Sequence, residues 1–399
     1  MCDREAAIVK ITDDLLSVDP ALWDACANPP GEPYNPFISH AFLSALEESG
    51  SATRRTGWLP HHLILEDGEG NLAGCMPLYL KSHSRGEYVF DHGWANAYEN
   101  AGGRYYPKLQ CSVPFTPATG RRLLTPAGPG REAAEDMLAA GAVELGKRLG
   151  VSSLHITFLP ERQWTRLAEI GFLQRTDQQF HWHNRDYASF TDFLGELSSR
   201  KRKMIRKERE KALENGIEIE WVTGSNLTED HWDSFYAFYM DTGARKWGTP
   251  YLTREFFSLI GERMANDTLL VMARRNGRYI AGALNFIGSD ALYGRNWGAV
   301  EHHPFLHFEC CYYQAIDFAI ERGLARVEAG AQGEHKLARG YLPSRTHSAH
   351  WIANASFREA VADYLSRERQ HVDHDMAVLG EYAPFRHDIA ATEYQEDDF

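Results

Sequence analysis

The chain has 399 residues, a formal net charge of −13, and 43% hydrophobic and 24% charged residues, an ordinary globular composition. Because domains usually contain about 100–200 residues, the length predicts two of them. The acidic balance argues against broad binding of nucleic acid or anionic membranes. No apolar run reaches the roughly 18–20 residues that a membrane span requires, and the charged start MCDREAAIVK is unlike a signal peptide. A cytoplasmic location is therefore expected, whereas the oligomeric state stays open.

Patterns for metal binding and for a protein nucleophile are missing. The six cysteines contain no CxxC pair and the 18 histidines no HExxH motif, so the sequence implies no metal site. The pair His302–His303 is expected at the surface. The chain also lacks a Gly-x-Ser-x-Gly elbow, which disfavours serine hydrolase chemistry.

Two stretches resemble each other and predict a duplicated domain. His61–Lys81 and Thr268–Gly288 each read as two apolar strands around a turn, which Asn276–Gly277 supplies in the second. Each hairpin is followed by a strand, a helix and a further strand, which predicts a mixed sheet with helices packed on it. The predicted domains are residues 1–185 and 186–399, with the active site in the second and an acidic tail at its end.

The first copy carries an aromatic-rich insertion near residues 82–121 that the second copy lacks. Its candidate substrate-binding residues are Trp94, Asn96, Tyr98, Tyr105, Tyr106 and Lys108. Aromatic and amide side chains can form the wall of a pocket for a sugar, a peptide or a planar acceptor. Alternatively, they form a small core that anchors a long loop.

A charged helix is predicted over Phe190–Asn215, and its segment RKRKMIRKEREK has eight basic and two acidic side chains. Arg202, Arg206 and Arg209 follow helical spacing and can form one cationic stripe. Such a stripe could hold the phosphates of tRNA, CoA or a nucleotide-linked substrate, because arginine offers a bidentate fork. The alternative is an ordinary solvated helix face.

A polar cluster follows an apolar strand in GAQGEHKLARGYLP, residues 330–343. Its candidates are Gln332, Glu334, His335, Lys336 and Arg339. Ligand sites of α/β sheets tend to form at the carboxyl ends of strands. Glu334 or His335 would serve as the general base for an acceptor amine, and the two cations would hold an anion. The alternative is a charged turn whose residues pair with one another.

The segment before this cluster contains a second group of candidates. If Phe305–Gly323 is a helix, Glu309 and Tyr313 share a face near its N-terminal end, and that face would open to a cavity. Trp297, in the preceding strand, is a further substrate-binding candidate. Glu309 is a third candidate base. Alternatively, Glu309 complements the helix dipole and Tyr313 fills core.

Three blocks resemble the FemAB-like predicted N-acyltransferases, a GNAT-superfamily family labelled with peptidoglycan biosynthesis or recognition. They are HGWANAYENAGGRYYPKLQCSVPFTPATGRRLL, LHFECCYYQAIDFAIERGL and GAQGEHKLARGYLPSRTHSAHWI. The resemblance implies an α/β (α+β) fold of two tandem GNAT-like domains, each a mixed sheet flanked by helices. It implies transfer of an acyl or aminoacyl group, from acyl-CoA or aminoacyl-tRNA, to a primary amine of a small molecule or peptide. The GNAT acetyl-CoA loop pattern Q/R-x-x-G-x-G/A is missing from both copies, so the donor stays open.

Direct attack of the amine on the donor needs no protein nucleophile, in agreement with the sequence. Backbone N–H groups of a splayed strand are expected to stabilise the oxyanion that develops. The competing hypothesis is a noncatalytic module that recognises a cell-wall precursor or peptide in a GNAT-like cleft. A module of that kind would not need a base beside an anion clamp.

Overall fold

A computed structural model describes residues 7–246, 250–330 and 333–386. The chain forms two compact units, and neither is continuous in sequence. Unit 1 comprises Met1–Asp177, Tyr251–Phe256 and Thr346–Val372, and unit 2 comprises Gln178–Pro250, Phe257–Arg345 and Asp373–Phe399. Among the described residues, no helix is long and apolar enough to cross a membrane.

Unit 1 is built mainly from the first part of the chain. Its strands are β1 (Ile8–Thr12), β2 (Trp58–Pro60), β3 (His62–Glu66), β4 (Leu72–Met76), β5 (Tyr79–Lys81), β6 (Lys108–Cys111) and β7 (Ser153–Leu159). Its helices are α1 (Pro20–Ala27), α2 (His40–Glu48), α3 (His92–Asn100), α4 (Arg131–Leu149) and α5 (Glu161–Glu169). Short 3-10 helices lie at Leu15–Ser17, Pro36–Ile38 and Arg54–Thr56.

The later elements follow in chain order. The strands are β8 (Leu173–His183), β9 (Ile217–Thr223), β10 (Thr268–Arg275), β11 (Arg278–Ile287), β12 (Ala291–Ala299), β13 (Arg326–Glu328) and β14 (Leu342–Ile352). The helices are α6 (Phe190–Glu196), α7 (Ser199–Ala212), α8 (Glu229–Lys246), α9 (Arg254–Arg263), α10 (Leu306–Phe308), α11 (Gln314–Arg322) and α12 (Ala355–Glu381). The 3-10 helices of this part are Glu214–Gly216, Gly224–Asn226, Ala265–Asp267 and Glu334–Arg339.

Both predicted hairpins are present: β3 pairs with β4, and β10 with β11, each antiparallel. In unit 1, β6 and β7 are parallel and α4 connects them. In unit 2, β12 and β13 are parallel and α11 lies between them in the chain. A parallel pair cannot be joined by a tight turn, so a crossover helix is required in each case. A mixed sheet with a crossover helix therefore recurs, as the sequence predicts. The β10–β11 hairpin belongs to the sheet that contains β12 and β13, whereas the β3–β4 hairpin forms a separate three-stranded sheet with β1.

Each parallel pair gains an antiparallel neighbour from a more distant part of the sequence. In unit 1, β7 pairs with residues 347–352 of β14. In unit 2, β13 pairs with residues 181–183 of β8. Every side chain of β7 is buried, as expected for a strand covered on both faces.

The predicted charged helix over Phe190–Asn215 is two helices, α6 and α7. The chain breaks at Leu197, whose backbone is extended and whose side chain is fully buried in the unit 2 core. Burial of this leucine outweighs the helical preference of the flanking residues, because apolar burial is worth about 1.5–3 kcal/mol.

The predicted helix over Phe305–Gly323 is present, but its middle is wider than an α-helix. Residues Glu309–Tyr313 form a π-helical turn between α10 and α11, and Gly323 ends the helix with a φ of 63°. A π turn adds a residue to the ladder and changes which side chains share a face. The face predicted from α-helical spacing therefore differs from the observed one.

The aromatic residues of the insertion support the alternative of a small core. Trp94 and Tyr105 belong to a buried cluster with Val361 and Leu365, and Tyr98 stacks on Phe357 with ring centres 4.5 Å apart.

The remaining insertion candidates, Tyr106, Lys108 and Asn96, have different surroundings in unit 1. Tyr106 shares a 2.8 Å hydrogen bond with Ser84. Lys108 is buried and donates to Glu87 at 2.6 Å, whereas Asn96 is exposed.

Candidate active site

The parallel strands β12 and β13 separate part-way along their length. They pair from Ala291 to Tyr293, opposite Arg326–Glu328, and β12 then continues to Ala299 after β13 has ended. On its other side β12 carries a bulge: Gly294 opposes Asn285 and Asn296 opposes the adjacent Leu284, so Arg295 is the extra residue of β12. Bulges of this kind redirect side chains and recur next to active sites.

A small cavity of about 100 Å³ lies at this separation, lined by residues of β11, β12 and the π turn. Asn285 contributes a buried side chain whose amide nitrogen donates to two backbone oxygens, at 3.3 and 3.4 Å. Its Oδ1 atom is buried and accepts no hydrogen bond from the described residues. Because an unmade buried hydrogen bond costs about 1–3 kcal/mol, this acceptor is available to a donor group that enters the cavity.

A second, larger cavity of about 440 Å³ adjoins the first. Its aromatic walls are Trp297, Phe305 and Phe308, and its polar groups include Glu301, His303 and His307. Trp297 and His307 line both cavities, and their rings stand 5.3 Å apart with an interplanar angle of 68°. The two cavities therefore meet at this pair of rings.

The packing of α8 against β12 shapes the larger cavity. A Cβ atom at Gly298 would lie 2.3 Å from the backbone carbonyl carbon and oxygen of Phe238, so only glycine allows this approach. Thr242, one turn further along α8, accepts a hydrogen bond from the Ala299 backbone N–H at 3.2 Å and lines the cavity.

Histidines of this region were not among the residues singled out from sequence. The surface position expected for His302–His303 holds for His302, which is exposed, whereas His303 is half-buried. Both line the larger cavity, where Glu301 accepts a 2.9 Å hydrogen bond from His303. No sequence motif marks His307 as a site residue, and its position at the start of a helix is the one feature that the sequence shows. Only the approach of α8, β12 and this helix to one another makes these side chains neighbours.

The cluster predicted after the strand is a 3-10 helix over Glu334–Arg339. The His335 ring nitrogen Nε2 lies 2.9 Å from the hydroxyl oxygen of Tyr312, and Tyr312 lines the small cavity. Partial desolvation and the charge of Arg339 lower the pKa of His335. Gln332 and the side chain of Glu334 lie outside the described residues.

The two cations of this cluster have different surroundings. Lys336 is buried and its ammonium donates to the Gly330 carbonyl oxygen at 2.9 Å; burial lowers its pKa to about 8. Arg339 donates through Nη2 to both carboxylate oxygens of Glu208, at 2.8 and 2.9 Å. The predicted anion clamp at Arg339 thus has a carboxylate partner within the protein.

Glu309 and Tyr313 face α7, and neither contributes to the two cavities. Arg209 donates to both carboxylate oxygens of Glu309, at 2.8 and 3.1 Å, and burial raises the pKa of Glu309. The Tyr313 hydroxyl donates to Glu208. The π turn instead directs Cys311 and Tyr312 toward the small cavity.

The predicted arginine stripe on α7 is divided. Arg209 is engaged by Glu309 and by Asp317, the latter at 2.6 Å. Arg206 is exposed, and Arg202 is half-buried with Nη2 3.5 Å from the Ser199 hydroxyl oxygen. A phosphate-binding role for Arg202 and Arg206 stays a prediction.

The family model described as FemAB-like, peptidoglycan biosynthesis/recognition, matches residues 14–387. The chain belongs to this family. The α/β fold expected with this family, a mixed sheet flanked by helices, is also confirmed. No curated protein sequence matches this FemAB-like chain significantly.

Solved structures similar to this FemAB-like protein cover nearly its whole length. FemX is 12% identical with a TM-score of 0.53, covering 86% of this chain and 98% of FemX. L-PGS from Bacillus licheniformis is 8% identical with a TM-score of 0.51, covering 85% and 98%. A conserved protein of unknown function from Bacteroides thetaiotaomicron is 9% identical with a TM-score of 0.51, covering 87% and 100%. At these identities the similarity concerns the fold.

Proposed function

We propose that this FemAB-like protein is an N-acyltransferase that moves an acyl or aminoacyl group from an activated donor to a primary amine by direct attack. The observation that carries the proposal is the pair of adjoining cavities that share Trp297 and His307 where β12 and β13 separate. Two reactants entering separate cavities that meet at one point gain the benefit of proximity, which lowers the barrier.

The donor carbonyl belongs in the small cavity. There, β12 continues past the last residue paired with β13, so its backbone N–H groups can stabilise the oxyanion of the tetrahedral intermediate. The unpaired Oδ1 of Asn285 provides an acceptor for an N–H of the donor chain or of the attacking amine. Either contact fixes the reacting atoms relative to each other.

The acceptor amine approaches from the larger cavity and must be neutral to attack. Its nitrogen forms a bond to the carbonyl carbon, while the thioester C–S bond or the aminoacyl ester C–O bond breaks. The proton leaves the nitrogen through a base and ends on the departing thiolate or ribose oxygen. His307 is placed for this transfer because it lines both cavities. His335, linked to the small cavity through Tyr312, and Glu334 remain the candidates that the sequence predicts.

The donor is acyl-CoA or aminoacyl-tRNA, and the acceptor is an amine of a small molecule or peptide. Both donors carry phosphates, for which Lys336, Arg202 and Arg206 are the candidate partners. The family description supports a peptidoglycan precursor or a related peptide as the acceptor. Since both donors are cytoplasmic compounds, a cytoplasmic location follows from the proposal.

A binding module without turnover is the second candidate. It is favoured by one observation: Glu309 and Arg339, two groups expected at an active site, are engaged in ion pairs inside the protein.

Mass spectrometry of molecules that copurify with the native protein would identify the donor, and transfer to amines would then be measured. His307→Asn should lower turnover by about 10²–10⁴-fold, the usual contribution of a general base. His374→Asn, at an exposed position of α12 that lines neither cavity, is the matched control and should retain activity. A donor that binds tightly and is never consumed, with any amine, would instead support the module.

A further inference from the structure

We infer that the larger cavity contains a cation subsite at Glu301 and that the acceptor carries a second positive charge besides the amine that reacts. This inference rests on the proposed function, because it specifies the acceptor of the same site. Three observations support it: the hydrogen bonds of the Glu301 carboxylate, the aromatic walls of the larger cavity, and the need for the attacking amine to be neutral.

The carboxylate of Glu301 is held in place through one of its two oxygens. Oε2 accepts hydrogen bonds from Arg275 Nε at 3.0 Å, from Arg275 Nη2 at 2.7 Å and from His303 Nε2 at 2.9 Å. Oε1 has no hydrogen-bond partner within the described part of the chain. The hydrogen bonds from His303 and Arg275 lower the pKa of Glu301, so the group is ionised at neutral pH. A fixed, charged carboxylate with one open oxygen is suited to bind an ammonium group.

The position of Arg275 leaves the carboxylate available to a ligand. Glu301 lines the larger cavity, whereas Arg275 does not belong to its lining. The arginine therefore orients the carboxylate from outside the cavity.

The walls of the cavity are also suited to a cation. Trp297, Phe305 and Phe308 present aromatic rings, whose faces attract ammonium and guanidinium groups. Phe305 stands at the edge with 36% of its surface exposed, and its backbone has a φ of 65°, in the left-handed region that a phenylalanine rarely adopts. Backbone conformations of this kind concentrate at ligand sites.

The chemistry of transfer requires that the bound cation and the nucleophile be different groups. An ammonium held by Glu301 has no lone pair and cannot attack a carbonyl. The reacting amine must be a second group, neutral when it reaches Trp297 and His307. A cavity of about 440 Å³ is in the range of small-molecule sites. The acceptor class is therefore a diamine, or an amino compound or short peptide with a basic side chain.

Binding measurements without any donor test the subsite. The probes are 1,5-diaminopentane, 1-aminopentane and 5-aminopentan-1-ol, titrated calorimetrically at two salt concentrations. The diamine should bind at least tenfold more tightly than the other two, and the difference should shrink at high salt. Equal affinities, or no binding of the diamine, would overturn the inference in the unaltered protein, before any substitution is made.

Two variants locate the preference. Glu301→Gln should abolish the advantage of the diamine. Glu218→Gln removes a carboxylate from another ion pair of unit 2, 2.8 Å from Arg274, and should leave that advantage unchanged.

A diamine preference that survives Glu301→Gln would overturn the assignment. Selective diamine binding without transfer from any donor would refute the proposed reaction but keep the subsite. Equal transfer to monoamines and diamines would keep the reaction and refute the subsite.

Discussion

The guanidinium of Arg339 lies 3.5 Å from the centre of the Phe308 ring while it donates to both carboxylate oxygens of Glu208. Arg339 and Glu208 are both buried, and Phe308 lines the larger cavity. Arg339 therefore supports a cavity wall from behind.

This arrangement predicts a stability effect at Arg339. Arg339→Ala should lower the free energy of unfolding by about 3–5 kcal/mol, because it leaves the buried Glu208 carboxylate without its countercharge. The double variant Arg339→Met with Glu208→Gln should recover much of this loss. Denaturant unfolding of the single and double variants measures both. If Arg339→Ala keeps full stability and binds the donor more weakly, the result would instead support the role predicted from sequence, in which Arg339 binds an anion of the donor.

Lys336 predicts a pH dependence of donor binding. Its pKa of about 8 means that the ammonium is charged below that pH and neutral above it. If Lys336 holds a phosphate of the donor, affinity should fall as the pH rises through about 8. Lys336→Arg should retain binding at pH 9, whereas Lys336→Met should bind weakly at every pH. Calorimetric titration of the identified donor at pH values from about 6.5 to about 9.5, which bracket this pKa, checks the prediction. An affinity that is flat across this range would exclude the role.

His335 and His307 can be distinguished by the acidic limb of the rate profile. The pKa of His335 is lowered, so a rate that depends on its neutral form should fall only below the usual value of about 6.5. His335→Asn should remove that limb and lower turnover by about 10²–10⁴-fold if this histidine is the base. A limb that persists in His335→Asn and disappears in His307→Asn would assign the base to His307. Glu334→Gln tests the remaining candidate in the same assay.

Gly298 predicts that the cavity depends on the close packing of α8. Gly298→Ala forces the backbone of Phe238 away from β12, because the new methyl group would lie 2.3 Å from it. We expect a loss of about 1–3 kcal/mol in stability, as for other overpacked sites, and weaker amine binding. Gly195→Ala is the matched control, since a Cβ atom there meets nothing within 4 Å. Thermal melts and calorimetry compare the two; identical behaviour would contradict the packing argument.

Unit 1 should lose stability in mild acid because of two buried histidines. His155 and His350 share a 2.7 Å contact between their Nδ1 atoms. Burial lowers the pKa of His155 to about 3 and that of His350 well below its usual value. The unfolded chain therefore binds more protons than the folded one between about pH 6.5 and pH 3, and stability falls as pH falls through this range. Replacing both by Gln should flatten this dependence in urea unfolding; an unchanged slope would assign the acid sensitivity to other groups.

Local chemistry made the hairpins predictable, whereas the cavities depend on tertiary contacts. Asn276 and Gly277 both have positive φ, as a tight hairpin turn requires, and this signal is contained in two adjacent residues. The partner of Arg339 is Glu208, 131 residues away, and no spacing rule connects them. The prediction that Glu309 faces a cavity was wrong, because apolar periodicity does not distinguish a π turn from an α-helix.

The pairing of β7 with β14 also bears on the order in which the chain is made. Residues 153–159 leave the ribosome almost two hundred residues before their neighbour at 347–352. Until then, a strand whose residues are all buried in the folded protein has an unpaired edge, which is the kind of surface that recruits other chains. A nascent or prematurely terminated chain ending before β14 should therefore need chaperone protection, and stop codons near the 3′ end should cause aggregation of unit 1 rather than mere loss of a tail.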